Sequence, residues 1–541
     1  MPVQELADDV IARLVSAGAW TDVPLYAAFD EIADRCPQVL AVSDQHERLT
    51  YAELQRRSRN LAAWLGEQGL APGGTVGLQC GNRIALAITH LACDRADLIF
   101  VPLSVSWRRS EMAHLLELSR PEVLVVGPPV KDYDFLAAVQ DIRHELPELR
   151  LVGGTAGVQA DFDFDEVCRT ERPFQPLADQ DPNAPRYVMV TSGTTGFPHI
   201  SLWSDNNLWY FMQVFIDCVQ LKPGDIAVGL APASTGATGY VFPVLGPILC
   251  GASSILLEHW STRGALDLME SSRATHVTAV PAQVLKLLSD PTVGDRDFSS
   301  LRTFTNSGAA MPPSGAAALE EVFSCIQHVV YGATDGGTVA MLRYDDPIEK
   351  RYTTVGKAFA HNEIRLVDAF LEDVAPGSPG EILWRSATKS YGYLNEPERT
   401  EQAWVGDGWY RSGDLGTLDE DGYLRIVGRV KDLIIRGGQN ISPRELEDLI
   451  VALPGVSEVS VIGLPDPVLG ERVCACVVLD QGARFTFDDL IAGLRVAEVA
   501  TFKLPERLEV FDDLPQSTGG KVSKPTLRSW VSERANDPVT A

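Results

Sequence analysis

The stretch Tyr187-Val-Met-Val-Thr-Ser-Gly-Thr-Thr-Gly-Phe-Pro198 carries the densest chemistry in the chain. Apolar residues from Tyr187 to Val190 run into hydroxyls and glycines: Thr191, Ser192, Gly193, Thr194, Thr195 and Gly196. An apolar run bounded by Gly and Pro predicts a buried strand that opens into a loop. Such a loop suits a polyphosphate. Gly193 and Gly196 let backbone N–H groups come close to oxygens, and the four hydroxyls donate from side chains. No Gly-Lys-Ser/Thr ends the segment, so it is not a Walker A loop. An ordinary Ser/Thr/Gly surface loop is the competing reading of the segment alone. A second candidate lies near the C-terminus, where Ser517-Thr-Gly-Gly-Lys521 sets a lysine behind two glycines. A lone lysine there is ordinarily a solvated charge; the glycines predict a loop that can enter a site in another domain.

At 541 residues the chain exceeds one ordinary domain, and 45% hydrophobic against 22% charged residues predicts a globular protein with large cores. The 46 Lys and Arg against 73 Asp and Glu leave −27, which disfavours nucleic acid or an anionic membrane as the main partner. A bound polyphosphate would need local cations. Nine cysteines are scattered without a CxxC pair, the pattern of buried thiols in a reducing cytoplasm. Cys474 and Cys476 are expected on one face of a strand. No basic-then-apolar leader opens the sequence. The longest apolar stretch, 238–257, is broken by Pro243, Gly246, Pro247 and Gly251. It predicts a buried helix followed by a strand, not a membrane span.

Elements of two periodicities must position these residues. Leu6, Val10, Ile11 and Leu14 predict a helical lead-in within about the first 45 residues, and Thr50 an N-cap for a helix carrying Leu54, Leu61 and Leu65. Strands over 75–78, 98–103 and 122–126 alternate with helices over 84–92 and 111–118. Strand 277–281, helix 282–288 and strand 301–304 repeat the alternation further on. The expected class is α/β with largely parallel sheets. Leu151-Val-Gly-Gly-Thr-Ala-Gly157 lacks the GxGxxG spacing and is read as a turn. From residue 432 the pattern becomes a small α+β domain, with a disordered tail expected over 535–541.

The loop 191–196 resembles the phosphate loop of the adenylate-forming superfamily, which includes acyl-CoA synthetases, adenylation domains and luciferases. Further motifs follow in the family's order. Tyr331-Gly-Ala-Thr334-Asp335 resembles Tyr-Gly-x-Thr-Glu, and Trp409-Tyr-Arg-Ser-Gly-Asp414 resembles Trp-x-x-Thr-Gly-Asp. Arg429-Val-Lys431-Asp, Gly437-Gly438 and the terminal Gly-Gly-Lys521 match the family's later motifs. The resemblance covers nearly the whole chain. It implies a large N-terminal domain of stacked α/β subdomains, 1–430, and a small mobile α+β lid, 431–541. Thr191 to Gly196 would grip phosphates; Gly308, Ala309, Ala310, Tyr331 and Gly332 would hold the adenine. Asp414 would bind the ribose and Arg429 ribose and phosphate. Thr334 would supply a hydroxyl near the phosphates, Asp335 a carboxylate for Mg²⁺, and Lys521 would bridge carboxylate and α-phosphate. Lys431 falls at the hinge, and Gly438 leaves room for a pantetheine tunnel.

Three departures stand out. His199 replaces the usual lysine after the phosphate loop, and Asp335 is one methylene shorter than the usual Glu. Where relatives carry a His or aromatic ring, this chain has Ser234, Thr235, Gly236 and Gly239, which with Ala333 are expected to line a roomy acyl pocket unless Tyr240 or Phe242 fills it. The resemblance implies ATP-dependent activation of a carboxylic acid, bulky and aryl or cyclic, to an acyl-adenylate. Coenzyme A is the implied acceptor; an amine or a carrier protein is the alternative, and a nucleotide-binding pseudoenzyme the non-catalytic one.

Overall fold

The computed structural model describes residues 8–177, 179–191, 197–233, 236–516 and 522–536. A seven-stranded sheet runs, edge to edge, through Phe162–Asp163, Leu151–Gly154, Val123–Val126, Thr75–Gln79, Ile99–Leu103, Pro185–Thr191 and His199–Ser204. Its neighbours are parallel except the last pair, which is antiparallel and brings Thr191 opposite His199. A nine-stranded sheet has a parallel centre: Ser253–Leu256, Ile226–Gly229, His276–Ala279, Thr303–Ser307 and Ile326–Ala333. Between the sheets lies the largest core. It is filled by the helices Leu25–Arg35, Tyr51–Glu67, Ala85–Arg95 and Asp205–Val219, and by the π-helix Ala237–Leu245. Such all-round burial explains why these parallel strands read as continuous apolar runs.

A five-stranded antiparallel sheet follows, containing Gly380–Arg385, Trp409–Leu418 and Leu424–Arg429. A second five-stranded sheet holds every strand after residue 432, from Ile434–Arg436 to Arg507–Phe511. It packs with the helices Pro443–Ile450 and Phe487–Val496 into a separate small core. The architecture is thus a large mixed α/β N-terminal part and a smaller α+β C-terminal part.

Local rules explain most boundaries. Thr50 caps its helix in a full capping box with Glu53, and Cys474 and Cys476 share a face, their sulfurs 4.0 Å apart. Other expectations need correction. The helical lead-in, of which Leu6 lies outside the described residues, gives way at Leu40–Ser43, a short strand paired with Ser253–Leu256. Leu151–Gly154 is a strand, not a turn: a Cβ on Gly153 would lie 2.2 Å from the Phe162 ring, so the glycine serves close packing. The apolar stretch after Gly236 is, as expected, a buried helix followed by the strand Ser253–Leu256; the helix starts in π form, with Pro243 inside it and unable to donate a backbone bond. The C-terminal end is helical over Lys524–Asn536; the rest of the expected tail, 537–541, lies outside the described residues.

One buried charge cluster anchors the strand Pro185–Thr191, which leads to the expected phosphate loop. The Arg186 side chain is 1% exposed and reaches Asp205 at 3.2 Å, Asp94 at 3.5 Å and Asp97. Asp94 also accepts the backbone N–H of Tyr26 at 2.5 Å, at the start of the helix Leu25–Arg35. Burial raises the pKa of both Asp94 and Asp205. A single guanidinium therefore faces three carboxyls, of which the two fully buried ones, Asp94 and Asp205, resist joint ionisation.

Candidate active site

Ligands of open α/β sheets bind beyond the carboxyl ends of parallel strands, and here those ends gather the candidate residues. Thr303–Ser307 and Ile326–Ala333 are parallel neighbours, with Ser307 opposite Val330. Gly308, Ala309 and Ala310 follow the first and are exposed; Tyr331, Gly332 and Ala333 close the second. Gly308 has φ +88°, a conformation glycine adopts without strain.

Asp414 is the centre of one polar group. It sits inside the strand Trp409–Leu418, beside a register shift, rather than at the end of a tight turn. Arg429 lies directly across the ladder, and its Nε donates to Asp414 Oδ1 at 2.6 Å. Tyr331 Oη donates to Asp414 Oδ2 at 2.9 Å. Burial, then the Asp414 charge, pushes the Tyr331 pKa well up, so the phenol stays a donor. Three motifs far apart in sequence thus meet at one carboxylate.

Thr334 and Asp335 form the second group. Trp203 Nε1 donates to the Thr334 carbonyl at 3.1 Å, and Trp384 Nε1 to the Gly336 carbonyl at 2.8 Å. Ser390 Oγ donates to the Asp335 carbonyl, while Tyr393 and Tyr410 donate to its carboxylate. An aromatic row joins the two groups: Tyr331 to Trp384 at 5.7 Å between centroids, and Trp384 to Tyr410 at 4.7 Å. Behind it, Lys389 rests its ammonium over the Trp404 ring at 5.1 Å, and burial lowers its pKa to about 8.

The segment expected to line an acyl pocket is built differently. Gly236 opens the π-helix with φ +73° and ψ −133°, and a Cβ there would lie 3.5 Å from Met189 Sδ. Thr238 Oγ1 hydrogen-bonds Ser307 Oγ, and a Cβ on Gly308 would be 4.0 Å from that Thr238 oxygen. Gly239 is buried one residue further on. Tyr240 and Phe242 are engaged in the core, the first with His90 at 3.1 Å and the second on Phe215 at 4.5 Å. Met189 is the side chain that stands beside Gly236.

Several candidates are not brought to this centre. Gly437 and Gly438 form the exposed two-residue turn of a hairpin, both with positive φ as a type I′ turn requires, and a Cβ on Gly438 would meet nothing within 4 Å. Lys431 is exposed in the 3₁₀ turn Val430–Asp432, between the last strand of one sheet and the first of the next. Ser192, Gly193, Thr194, Thr195 and Gly196 lie outside the described residues, as do Ser234, Thr235 and Lys521. The flanks of two of these segments pair with each other. Thr191 pairs with His199, and Gln516 bridges to Val522. His199 Nδ1 pairs with Glu396 at 2.9 Å.

A family model for AMP-binding enzymes matches residues 29–394, and one for the AMP-binding enzyme C-terminal domain matches residues 445–521. The chain belongs to the AMP-binding enzyme family. It is an adenylate-forming enzyme, and ATP is its nucleotide. The chain is similar to the medium-chain fatty-acid–CoA ligase of Escherichia coli (strain K12), at 31% identity over 96% of this chain and 93% of that protein. It is equally similar to the 2-hydroxy-7-methoxy-5-methyl-1-naphthoate–CoA ligase of Streptomyces carzinostaticus, at 31% identity over 96% of each chain. Among solved structures, ATP-bound MatB from Rhodopseudomonas palustris superposes with a TM-score of 0.86 at 28% identity, over 94% of this chain and 99% of that one.

Tyr393, Tyr410, Trp203, Trp384, Ser390 and Met189 are site residues that sequence reasoning passed over. Tyr410 stood within the quoted Trp-Tyr-Arg-Ser-Gly-Asp motif and Tyr393 within Tyr391-Gly-Tyr393, yet nothing in their spacing from Asp335 announces the contact.

Proposed function

We propose that this AMP-binding enzyme activates a bulky, ring-bearing carboxylic acid as its acyl-adenylate and then transfers the acyl group to coenzyme A. The observation that carries the nucleotide half is the Tyr331–Asp414–Arg429 group. A part-exposed carboxylate between a phenol and a guanidinium suits a ribose diol and an adjoining phosphate. In the first step a carboxylate oxygen of the acid attacks the α-phosphorus. The bond from that phosphorus to the bridging oxygen of pyrophosphate breaks, and pyrophosphate leaves with the electron pair. Such a step is helped mainly by alignment and charge neutralisation. Lys521 supplies the cation between the reacting carboxylate and the α-phosphate, Thr334 a hydroxyl, and 191–196 the backbone donors for pyrophosphate.

Among the described residues no three His, Cys, Asp or Glu side chains cluster as a metal cage. One carboxylate, Asp335, fits Mg²⁺ nonetheless, because that ion keeps waters and takes substrate phosphates rather than a full set of protein ligands. Bound there, it would neutralise phosphate charge.

In the second step the coenzyme A sulfur attacks the acyl carbon and AMP leaves. We place the division between the 1–430 and 431–541 domains at Lys431, whose 3₁₀ turn can absorb a rotation that withdraws Lys521 and brings Gly438 to the acceptor. Seven of the nine free thiols are buried, which supports a reducing compartment such as the cytoplasm. Pyrophosphate release over a panel of acids, run with coenzyme A and separately with amines, tests the reading. Acid-dependent pyrophosphate release together with an acyl-CoA product upholds it. Release without thioester but with amide moves the acceptor to an amine, and no acid-dependent release refutes the activity.

A further inference from the structure

Asp335 is held in an unusual way for a carboxylate at a phosphate site. Tyr410 Oη donates to one of its oxygens at 2.8 Å, and Tyr393 Oη donates to the other. Both rings are themselves fixed. Tyr410 is 6% exposed and lies against Gly336, where an added Cβ would come within 2.4 Å of the ring. It packs on Trp384 at 4.7 Å and on Trp404 at 5.5 Å. Tyr393, also 6% exposed, is met edge-on by His199 at 6.0 Å and covered by the Arg399 guanidinium at 5.5 Å. Burial first, and the Asp335 charge second, raise the pKa of both phenols, so they remain protonated donors. A Ser390 bond fixes the backbone of the same residue. Two stiff donors, one on each oxygen, leave the short aspartate stem a single orientation.

We propose that Tyr393 and Tyr410 are positioning residues that clasp the Asp335 carboxylate in the orientation serving the metal of bound ATP, and that the clasp is built for aspartate. It rests on the ATP-dependent reading above. A glutamate would carry its carboxylate one methylene beyond both hydroxyls and into the rings that hold them. Lengthening the side chain to glutamate should therefore harm the site. Because His199 opens the strand that follows the 191–196 loop, the Tyr393 half of the clasp also links that strand to Asp335.

The test is calorimetric ATP binding by the full chain, in EDTA and across a Mg²⁺ series, with thermal melting of every variant. Tyr393→Phe and Tyr410→Phe should bind ATP in EDTA as the wild type does. Each should need about tenfold more Mg²⁺ for the same ATP affinity, the size of one lost bond to a charged group. Asp335→Glu should lose as much Mg²⁺ response as Asp335→Asn, although it keeps the charge. In the Asp335→Asn background, either Tyr→Phe change should add nothing. Wild-type Mg²⁺ requirement in Asp335→Glu, unshifted requirement in both Phe variants, or Phe effects that persist in the Asp335→Asn background would each overturn the clasp. A lowered melting point with an unmoved Mg²⁺ requirement would do the same, by reducing the tyrosines to packing. Failure of the wild type to bind ATP under any condition would remove the reading on which the clasp depends, and that result is read without any variant.

Discussion

The two walls of the site are built on opposite terms. On the nucleotide side, polar atoms are fixed by other polar atoms: Asp414 by Tyr331 and Arg429, and the Thr334–Gly336 turn by two tryptophans, a serine and two tyrosines. On the acyl side stand a positive-φ glycine, a methionine and the small residue Thr238. Methionine has three rotatable bonds and a polarizable sulfur, and it fills irregular space without specifying it. Under the proposed function, the wall that meets the invariant nucleotide is rigid and the wall that meets the variable acyl group is soft. The contrast predicts two kinds of failure: damage to the first wall should penalise every acid equally, and damage to the second should re-rank acids while sparing ATP.

The largest effect belongs to Lys521→Ala. Loss of the cation proposed for the reacting phosphate should slow adenylation by about 10²–10³-fold for every acid. Transfer from supplied acyl-AMP should stay near normal. Equal loss of both half-reactions in single-turnover kinetics would make Lys521 a structural residue.

Asp414→Ala comes next. It removes the acceptor shared by Tyr331 and Arg429, leaving a phenol and a guanidinium without their common partner. The ATP constant should rise by about 10–100-fold, a cost of roughly 1.5–3 kcal/mol, with acid ranking unchanged. A change in acid ranking would erase the distinction between the walls.

Gly236→Phe should instead raise the Michaelis constant for the best ring acid by about tenfold, since a clash costs roughly 1–3 kcal/mol, and leave the ATP constant alone. The φ of +73° adds a strain of about 1–2 kcal/mol for any L residue, so Gly236→Ala is the control that separates strain from bulk. Met189→Ala should shift the preference toward larger acids by only a few-fold, because removing a side chain without opening the backbone frees little more than its own volume. A wild-type preference for acetate in the acid panel would sink the open-wall account altogether.

The smallest effect is a pH dependence. Burial lowers the Lys389 pKa to about 8, so between pH 8 and its ordinary value near 10.5 the unfolded chain binds the proton that the folded chain has released. Folding stability relative to Lys389→Met should therefore rise with pH across that window, by about 2 kcal/mol, and be flat below it. Chemical denaturation at a series of pH values reads the difference; a difference that falls with rising pH would mean the ammonium is stabilised by its Trp404 contact instead.

Much of this contrast was legible in the sequence, for a physical reason. Parallel strands sandwiched by helices are apolar throughout, so 75–79, 99–103 and 123–126 announce themselves. The motifs at Tyr331, Asp414 and Arg429 are short and contiguous, and the structure joins them at one carboxylate. Contacts made across long separations left no local trace. Tyr410 reaches Asp335 over 75 residues and Tyr393 over 58, and the two tyrosines look like strand and loop aromatics until the sheets bring them together. Misread elements share another cause. The glycines of Leu151–Gly154 signal a turn when read alone, yet Gly153 admits the Phe162 ring and Gly154 the backbone of Val158. The buried helix after Gly236 was legible from its apolar run, but its π form was not, because Pro243 and the wider turn leave no distinct sequence period.

The Arg186 cluster has a consequence for how this chain can change over generations. Substituting Arg186 alone strands Asp94 and Asp205 in the interior, and substituting either aspartate alone alters how the other shares the guanidinium. Breaking a buried ion group by one partner costs about 3–5 kcal/mol, a large part of a domain's whole margin, whereas replacing all partners together by apolar residues is often harmless. The strand that carries the phosphate loop is thus tethered by a lock that single substitutions cannot open. Descendants that reach a different solution there must do so by paired changes, and the three positions should vary together or not at all.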